Sequence, residues 1–324
     1  MSQVVIPRVR LGNSRVEVGR FGLGCAPLGS LEPTPANEEM GEGMLAAAWN
    51  GGVRTFDVAP FYGAGRAERR LGAFLVTKPR DEFVLSTKVG RLLIPTGATD
   101  GELQPVFDFS QDGVKASLEA SLRRLGLDRV DIALIHDPDD HFAEALDCAY
   151  PALEQMRSEG VIRAIGLGMN QADMLERFVR ETDIDCFLVA GRYSLLDDRA
   201  ARTLLPAATG RGVGVLLGGV FNSGILADPS PGATFNYRPA PSELLARAER
   251  LRAMTSYHGV SLPRAAIHYS LRHPAVTSIV VGARSAREVI ANLDDFSTEV
   301  PADLWADLEA SGLLGWPDEP DTLG

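Results

Sequence analysis

Asp57, Lys88 and His136 are ionisable residues set inside apolar runs, the costliest place a sequence can put them. Asp57 stands in Thr55-Phe56-Asp57-Val58-Ala59, Lys88 in Val84-Leu85-Ser86-Thr87-Lys88-Val89, and His136 ends Ile132-Ala133-Leu134-Ile135. A carboxylate buried in such a run must find a cation or take up a proton, and Lys88 is the cation offered at a matching place. Tyr62 lies just beyond the first run. A free phenol titrates near ~10, too high to serve as both acid and base at neutral pH. An adjacent ammonium favours the phenolate and lowers that value. Asp57 would keep Lys88 charged and aimed, and a neutral His136 would hydrogen-bond an oxygen of the reacting molecule. The chemistry open to this set is proton transfer at an oxygen. Taken singly, each residue also fits a plain structural role, an Asp–Lys ion pair or a satisfied core histidine. Together, near the ends of three successive runs, they describe a site.

The elements that must position them follow from periodicity and breakers. Runs at 9–11 and 16–18 flank Gly12-Asn13-Ser14 and predict a hairpin. Strands are expected at 21–25, 55–59, 83–89, 130–136, 162–168, 185–190, 213–217 and 277–281, and their composition, buried on both faces, indicates a parallel sheet. Helices fill the intervals at 38–50, 66–75, 111–125, 142–159, 171–181, 198–209, 242–257, 262–272 and 285–293. Segments 91–109 and 221–240 read as loops. Eight strands alternating with helices, without a Gly-x-Gly-x-x-Gly turn, predict an α/β fold: a closed (β/α)8 TIM barrel instead of an open doubly wound sheet. The N-terminal β-hairpin is expected to cap the mouth opposite the site. The ionisable residues then fall at the carboxyl ends of strands, where such barrels keep their chemistry. One domain is expected over 1–324, with a tail from 301 that starts as a helix at 302–311 and ends in a polar, mobile run.

A net charge of −11 removes the basic face that nucleic acid or an anionic membrane would need. No apolar run approaches the ~18–20 residues of a membrane span, and the start lacks a signal-peptide core, so the cytoplasm is the expected compartment. The three cysteines, Cys25, Cys148 and Cys186, form no close pair and suit a reducing compartment, with neither a disulfide framework nor a metal site. Cys25 is placed to line the site without acting as a nucleophile. His141, His258, His268 and His273 lack metal-ligand spacing.

Several strings, in order, carry a resemblance to one family: Gly22-Leu23-Gly24, then Thr55-Phe56-Asp57, Ala59, Tyr62-Gly63, Gly65 and Glu68, then Ser86-Thr87-Lys88 and Leu134-Ile135-His136. Gly166-Leu167-Gly168-Met169-Asn170, Arg192-Tyr193-Ser194-Leu195-Leu196 and Gly282-Ala283 with Asn292 continue it, so that it spans residues 8–295. The chain resembles the aldo-keto reductases. The resemblance implies an NAD(P)-dependent oxidoreductase with Tyr62 as acid and base, supported by Lys88, Asp57 and His136. Hydride transfer to a carbonyl needs such a proton donor, and the reverse needs an acceptor. Phe61, Tyr62, His136 and Asp137 are the expected substrate contacts. Asp137-Pro138-Asp139-Asp140-His141 stands where relatives carry a tryptophan beside the histidine, and reads either as a solvated turn or as a polar pocket in which Asp137 accepts hydrogen bonds from a polyol.

The resemblance further implies an extended nicotinamide dinucleotide across the barrel mouth. Its expected contacts are Gly24, Cys25, Asp57, Met169, Asn170, Tyr193, Leu217, Gly219, Val220, Phe221, Ser223, Gly282, Ala283, Arg284, Glu288 and Asn292, with Asn170 on the carboxamide. Ala190 replaces a glutamine common in the family, which removes one amide contact. The glycines around Val220 permit close approach to pyrophosphate, and Phe221 or Leu217 is expected to pack on a ring. Where many relatives carry Lys-Ser and then an arginine before Glu-Asn, this chain has Gly282-Ala283, Glu288 and Ala291-Asn292. A 2′-phosphate would meet a carboxylate and lose two cations. NAD is therefore the preferred cofactor, with NADP admitted through Arg284 and Arg287. His136-Asp137-Pro138-Asp139 and Gly282-Ala283-Arg284 are similar to the L-fucose and D-threo-aldose 1-dehydrogenase branch, which oxidises the anomeric carbon of a sugar such as L-fucose or D-arabinose to the lactone. The alternatives are an NADPH-dependent reductase of small aldehydes or ketones, a pyridoxal- or L-galactose-type dehydrogenase, and a non-catalytic binding subunit, which the filling of all four catalytic positions disfavours. The expected partner is a small-molecule sugar or aldehyde, with no nucleic acid, membrane or metal, and a homo-oligomer is left open.

Overall fold

The structure, a computed structural model, describes residues 4–97 and 102–314. Its strands are β1 (Arg8–Arg10), β2 (Glu17–Gly19), β3 (Phe21–Gly24), β4 (Thr55–Asp57), β5 (Val84–Val89), β6 (Arg91–Pro95), β7 (Leu103–Phe107), β8 (Ile132–His136), β9 (Ala164–Met169), β10 (Cys186–Ala190), β11 (Gly214–Gly218), β12 (Thr234–Phe235), β13 (Arg238–Pro239) and β14 (Val276–Gly282). Its helices are α1 (Ala26–Ser30), α2 (Pro35–Asn50), α3 (Arg66–Leu75), α4 (Gln111–Leu125), α5 (Phe142–Glu144), α6 (Tyr150–Ser158), α7 (Ala172–Glu181), α8 (Leu204–Arg211), α9 (Ser242–Tyr257), α10 (Leu262–Ser270), α11 (Ala286–Ser297) and α12 (Ala302–Ala310). Eight parallel strands close into a barrel in the order β10-β11-β14-β3-β4-β5-β8-β9. These are the eight expected from the sequence.

Successive residues of a strand point to opposite faces, so each barrel strand feeds two cores. Phe56, Leu85, Ile135, Leu167, Phe187 and Ile279 face the helices, while Val84, Ile132, Leu134, Ala164, Cys186, Leu188, Leu216 and Val280 fill the barrel. Leu11, Val16 and Val18 of the β1–β2 hairpin join that inner cluster. They enter from the amino end of the strands, where Asn13 Nδ2 donates to the Arg211 carbonyl (3.1 Å) and Arg163 reaches the Arg15 carbonyl (3.2 Å). The hairpin is thus a plug, and the barrel is open at one end.

Four segments differ from the sequence expectation. The 91–109 loop contains the antiparallel ribbon β6–β7, which pairs Arg91 with Phe107. The 142–159 helix passes through a π turn, Ala145–Ala149, between α5 and α6. The 198–209 helix divides into a 3-10 turn, Arg199–Ala201, and α8. The 221–240 loop carries the small β12–β13 pair. The first barrel strand also turns directly into α1, which opens with Pro27 in its first turn. The polar run expected to be mobile, 315–324, lies outside the described residues. Among the described residues, no helix is long and apolar enough to cross a membrane.

Candidate active site

Strand parity brings the ionisable residues together. Asp57, Lys88 and His136 all occupy inward positions, each the last such position on its strand. Lys88 Nζ donates to Asp57 Oδ2 at 2.7 Å, to the Val58 carbonyl at 3.1 Å and to Tyr62 Oη at 3.1 Å. Asp57 is held in turn by Ser86 Oγ (2.6 Å on Oδ1). Lys88 has room because β9 offers Gly168 opposite it: a Cβ there would sit 3.2 Å from Lys88 Cε. Behind the strand, outward-facing Thr87 donates to buried Glu68 (2.9 Å), which also accepts from Arg124 (2.6 Å) and ties β5 to α3 and α4. Ser86, Thr87, Glu68 and Gly168 appear in the sequence strings above, but only parity reveals what each one supports.

Tyr62 comes from the β4–α3 loop. Gly63, at φ +62°, crosses Gly29 of α1 so closely that a Cβ on either would overlap the other's backbone. Two glycines therefore fix where the phenol's backbone lies. The His136 ring stands edge-on to Tyr62 (centroids 6.0 Å) and to Phe61 (6.2 Å).

The electrostatics partly correct the sequence expectation. Burial pushes the Tyr62 phenol above its ordinary value, the Lys88 charge pulls it back and Asp57 pushes it up again, so the net direction is upward. Lys88 alone does not bring the phenol below its usual range. Burial works against the Lys88 charge too, yet Asp57 and Tyr62 raise it, and the amine stays an ammonium. Burial, with Lys88 and Arg91 nearby, holds His136 well below the usual histidine range, so its imidazole is neutral. The set can give a proton to an oxygen from a neutral phenol, or accept one on the phenolate, next to a fixed cation.

The profile of the aldo/keto reductase family matches residues 20–312. The chain belongs to that family. It is 43% identical over 313 residues to D-threo-aldose 1-dehydrogenase of Pseudomonas sp, covering 92% of this chain and 95% of that one. It is 38% identical over 333 residues to pyridoxal 4-dehydrogenase of Microbacterium luteolum, covering 94% and 97%. Among solved structures, an aldo-keto reductase from Bacillus halodurans in its holo form superposes with a TM-score of 0.77 at 26% identity, over 96% of this chain and 97% of that one. The chain is accordingly an oxidoreductase, and aldo-keto reductases use NAD(P)(H).

The barrel of this aldo-keto reductase has a mouth of two unlike arcs. At the last inward position, the consecutive strands β4, β5 and β8 carry Asp57, Lys88 and His136, whereas β9, β10, β11, β14 and β3 carry Gly168, Ala190, Gly218, Gly282 and Gly24. Five strand ends without a side chain beyond Cβ leave a wide cradle beside the proton-handling groups. The residues present therefore fit a dinucleotide laid across that side. The loop above it is built for close approach: Gly219, Asn222 and Ser223 all have positive φ, and Asn222 accepts from Ser194 and donates to the Gly191 carbonyl (3.2 Å), locking the β11 loop to the β10 loop. Sequence reasoning did not single out Asn222.

The expected cofactor contacts divide. Gly24, Gly219, Gly282, Asn170, Phe221 and Ser223 lie along the cradle's strand ends and loops. Leu217, Met169, Val220 and Ala283 have their side chains packed in the outer core. Tyr193 stacks on Tyr269 of α10 (5.1 Å) and meets His273 edge-on, which makes it packing between the β10 loop and the outer helices. Cys25 is fully buried, donates its backbone N–H to the Asp57 carbonyl (2.8 Å) and has its thiol pushed up by burial, so nucleophilic use is closed to it. Glu288 receives the Arg284 backbone N–H (2.8 Å) and guanidinium (3.3 Å), while Ser285 caps α11 by accepting from Glu288 N (3.2 Å). Asn292 follows one turn on, nearly buried. Phe61 is 44% exposed at the mouth, and Asp137 pairs with Arg91 at 2.6 Å. Among the described residues no His, Cys, Asp and Glu cluster could hold a metal.

Proposed function

We propose that the chain is an NAD-preferring aldose 1-dehydrogenase, oxidising the anomeric carbon of a sugar to the lactone. The observation that carries the reading is the Lys88 ammonium shared between Asp57 and the Tyr62 hydroxyl at the open end of the barrel. In oxidation Tyr62, as phenolate, takes the proton of the anomeric hydroxyl; in the reverse direction it returns that proton to the carbonyl oxygen. Lys88 stabilises the phenolate, Asp57 holds Lys88 in place, and neutral His136 donates a hydrogen bond to the reacting oxygen. A bound nicotinamide supplies the hydride acceptor or donor at the reacting carbon. The glycine cradle and the Gly219–Ser223 backbone would hold that group, with Asn170 at its carboxamide.

Two features support a sugar. The relative with 43% identity is named for a D-threo-aldose, and the pocket beside His136 is lined by the charged pair Asp137 and Arg91 where an apolar substrate would be poorly served. NAD preference follows from Glu288, whose carboxylate already takes the Arg284 backbone N–H and guanidinium just ahead of α11 and would repel a 2′-phosphate seeking them. The reading takes the chain as one domain acting in the cytoplasm on a small molecule.

The test is NADH absorbance with a panel of aldoses, small aldehydes and pyridoxal, using NAD and NADP in turn. Aldose turnover with NAD is expected, and Tyr62→Phe should lower kcat by about 10²–10⁴-fold, the range for losing general acid–base catalysis. Full activity in Tyr62→Phe would remove the assignment.

A further inference from the structure

We propose that Arg91 is a specificity-determining residue: with Asp137 it forms a paired donor and acceptor that reads the substrate hydroxyl one carbon from the reacting centre. The inference rests on the aldose reading above. Arg91 opens β6 just past the end of the strand that carries Lys88. Its Nη2 donates to Asp137 Oδ2 at 2.6 Å, and its guanidinium carbon lies 4.6 Å from the Phe61 ring centre and 4.9 Å from that of Phe107. Two aromatic rings and a carboxylate hold the guanidinium, so little freedom remains to be lost when it makes a further hydrogen bond. The β6–β7 ribbon is the device that brings Phe107 there, because it pairs that residue with Arg91.

Asp137 reaches the pair from the other side. It has φ +41°, a left-handed conformation that a residue other than glycine adopts at some cost and that clusters at functional sites. Its Oδ2 lies 3.5 Å from His136 Nε2. The corner also holds two buried polar atoms with no hydrogen-bond partner among the described residues, Arg91 Nε and His136 Nδ1. Buried polar atoms left unmet are costly, which marks this corner as one whose polar groups the described residues do not fully satisfy.

Charge decides the class of ligand. A guanidinium with its charge uncancelled would select a carboxylate or phosphate. Here Asp137 cancels the charge and leaves N–H donors beside carboxylate acceptors. A hydroxyl both donates and accepts, so the pair satisfies it in both senses, whereas a methylene satisfies neither. Because Asp137 touches the imidazole that would hold the reacting oxygen, the hydroxyl within reach is on the neighbouring carbon.

The experiment compares an aldose with its 2-deoxy counterpart at saturating NAD, in the wild type, Arg91→Gln, Arg91→Lys and Asp137→Asn. On the parent sugar, Arg91→Gln and Asp137→Asn should raise KM by about 10- to 100-fold with kcat changed far less, as expected when a charge-assisted hydrogen bond is lost. On the 2-deoxy sugar the same substitutions should raise KM no further, because the hydroxyl they read is absent. Arg91→Lys, which keeps the charge without the fork, should fall between. NAD affinity should stay at the wild-type value. An equal KM rise on both sugars, or none on either, would overturn the proposal while the aldose reading stands. A wild type that turns over aldehydes or pyridoxal but no aldose would overturn both. Should Arg91→Gln fail to fold, Asp137→Asn carries the comparison.

Discussion

In the proposed reaction Tyr62 gives a proton in one direction and takes one in the other, and its surroundings favour giving. Burial outweighs the Lys88 charge, so the phenol stays protonated through neutral pH. Reduction uses that form and should be nearly flat between about pH 6 and 9, because His136 is neutral throughout and Lys88 is charged throughout. Oxidation needs the phenolate. Its kcat/KM should climb with pH towards and beyond the free-phenol value near ~10, and Lys88→Met should displace the limb further upward. A pH–rate profile that levels off below pH 8 would assign the base to another group. At this scale the sequence was most informative. A carboxylate, an amine and an imidazole inside apolar runs advertise themselves, because burial makes each of them expensive. Arg91 gave no such signal. It sits in a stretch expected to be a loop, whose pairing as β6 only the folded ribbon reveals, so its aromatic and carboxylate partners, distant in sequence, stayed hidden.

Elements set the placement that these residues need. The α1 turn is short, and the close approach of Gly29 to Gly63 fixes the backbone that carries Tyr62. Gly29→Ala leaves no space without moving that backbone, and a misplacement of about 1 Å is expected to cost on the order of 10²-fold in kcat. A matching fall in thermal midpoint should accompany it, and an enzyme unchanged in rate would show that the crossing does not position the phenol. Strand existence and order were legible because the apolar runs are short, β-branched and separated by glycines. Which side of a strand a residue faces was less so. Leu217 and Met169 are one position out of phase with the inward residues, and a register counted from the ends of His136 and Lys88 would have assigned both to the outer core. The π turn after α5 leaves no mark in a pattern read only for helical period.

Over the whole molecule, the barrel mouth is divided by chemistry: five strand ends reduced to glycine or alanine, then three bearing Asp57, Lys88 and His136. The bare side can take a large flat ligand while the other side handles protons, without either crowding the other. The proposed cofactor choice is made at the rim, where Glu288 accepts from the Arg284 backbone N–H and guanidinium. Glu288→Lys should raise kcat/KM for NADP relative to NAD by roughly tenfold or more, a change of about 1.4 kcal/mol. A ratio that does not move would place the discrimination elsewhere. This arrangement was legible in outline, since the lost cations and the acid at 288 stand in the sequence, but the run of small inward residues emerges only when strands distant in the chain are set side by side.

The hairpin seated in the far end has a kinetic corollary. With Leu11, Val16 and Val18 stoppering the barrel, the hydrogen ion lifted from a substrate has no rear exit to bulk water and must leave by the doorway the substrate entered. In a single turnover followed with a pH-indicator dye, acidification of the medium should trail the appearance of NADH and keep pace with product departure. Simultaneous signals would mean that the stopper leaks.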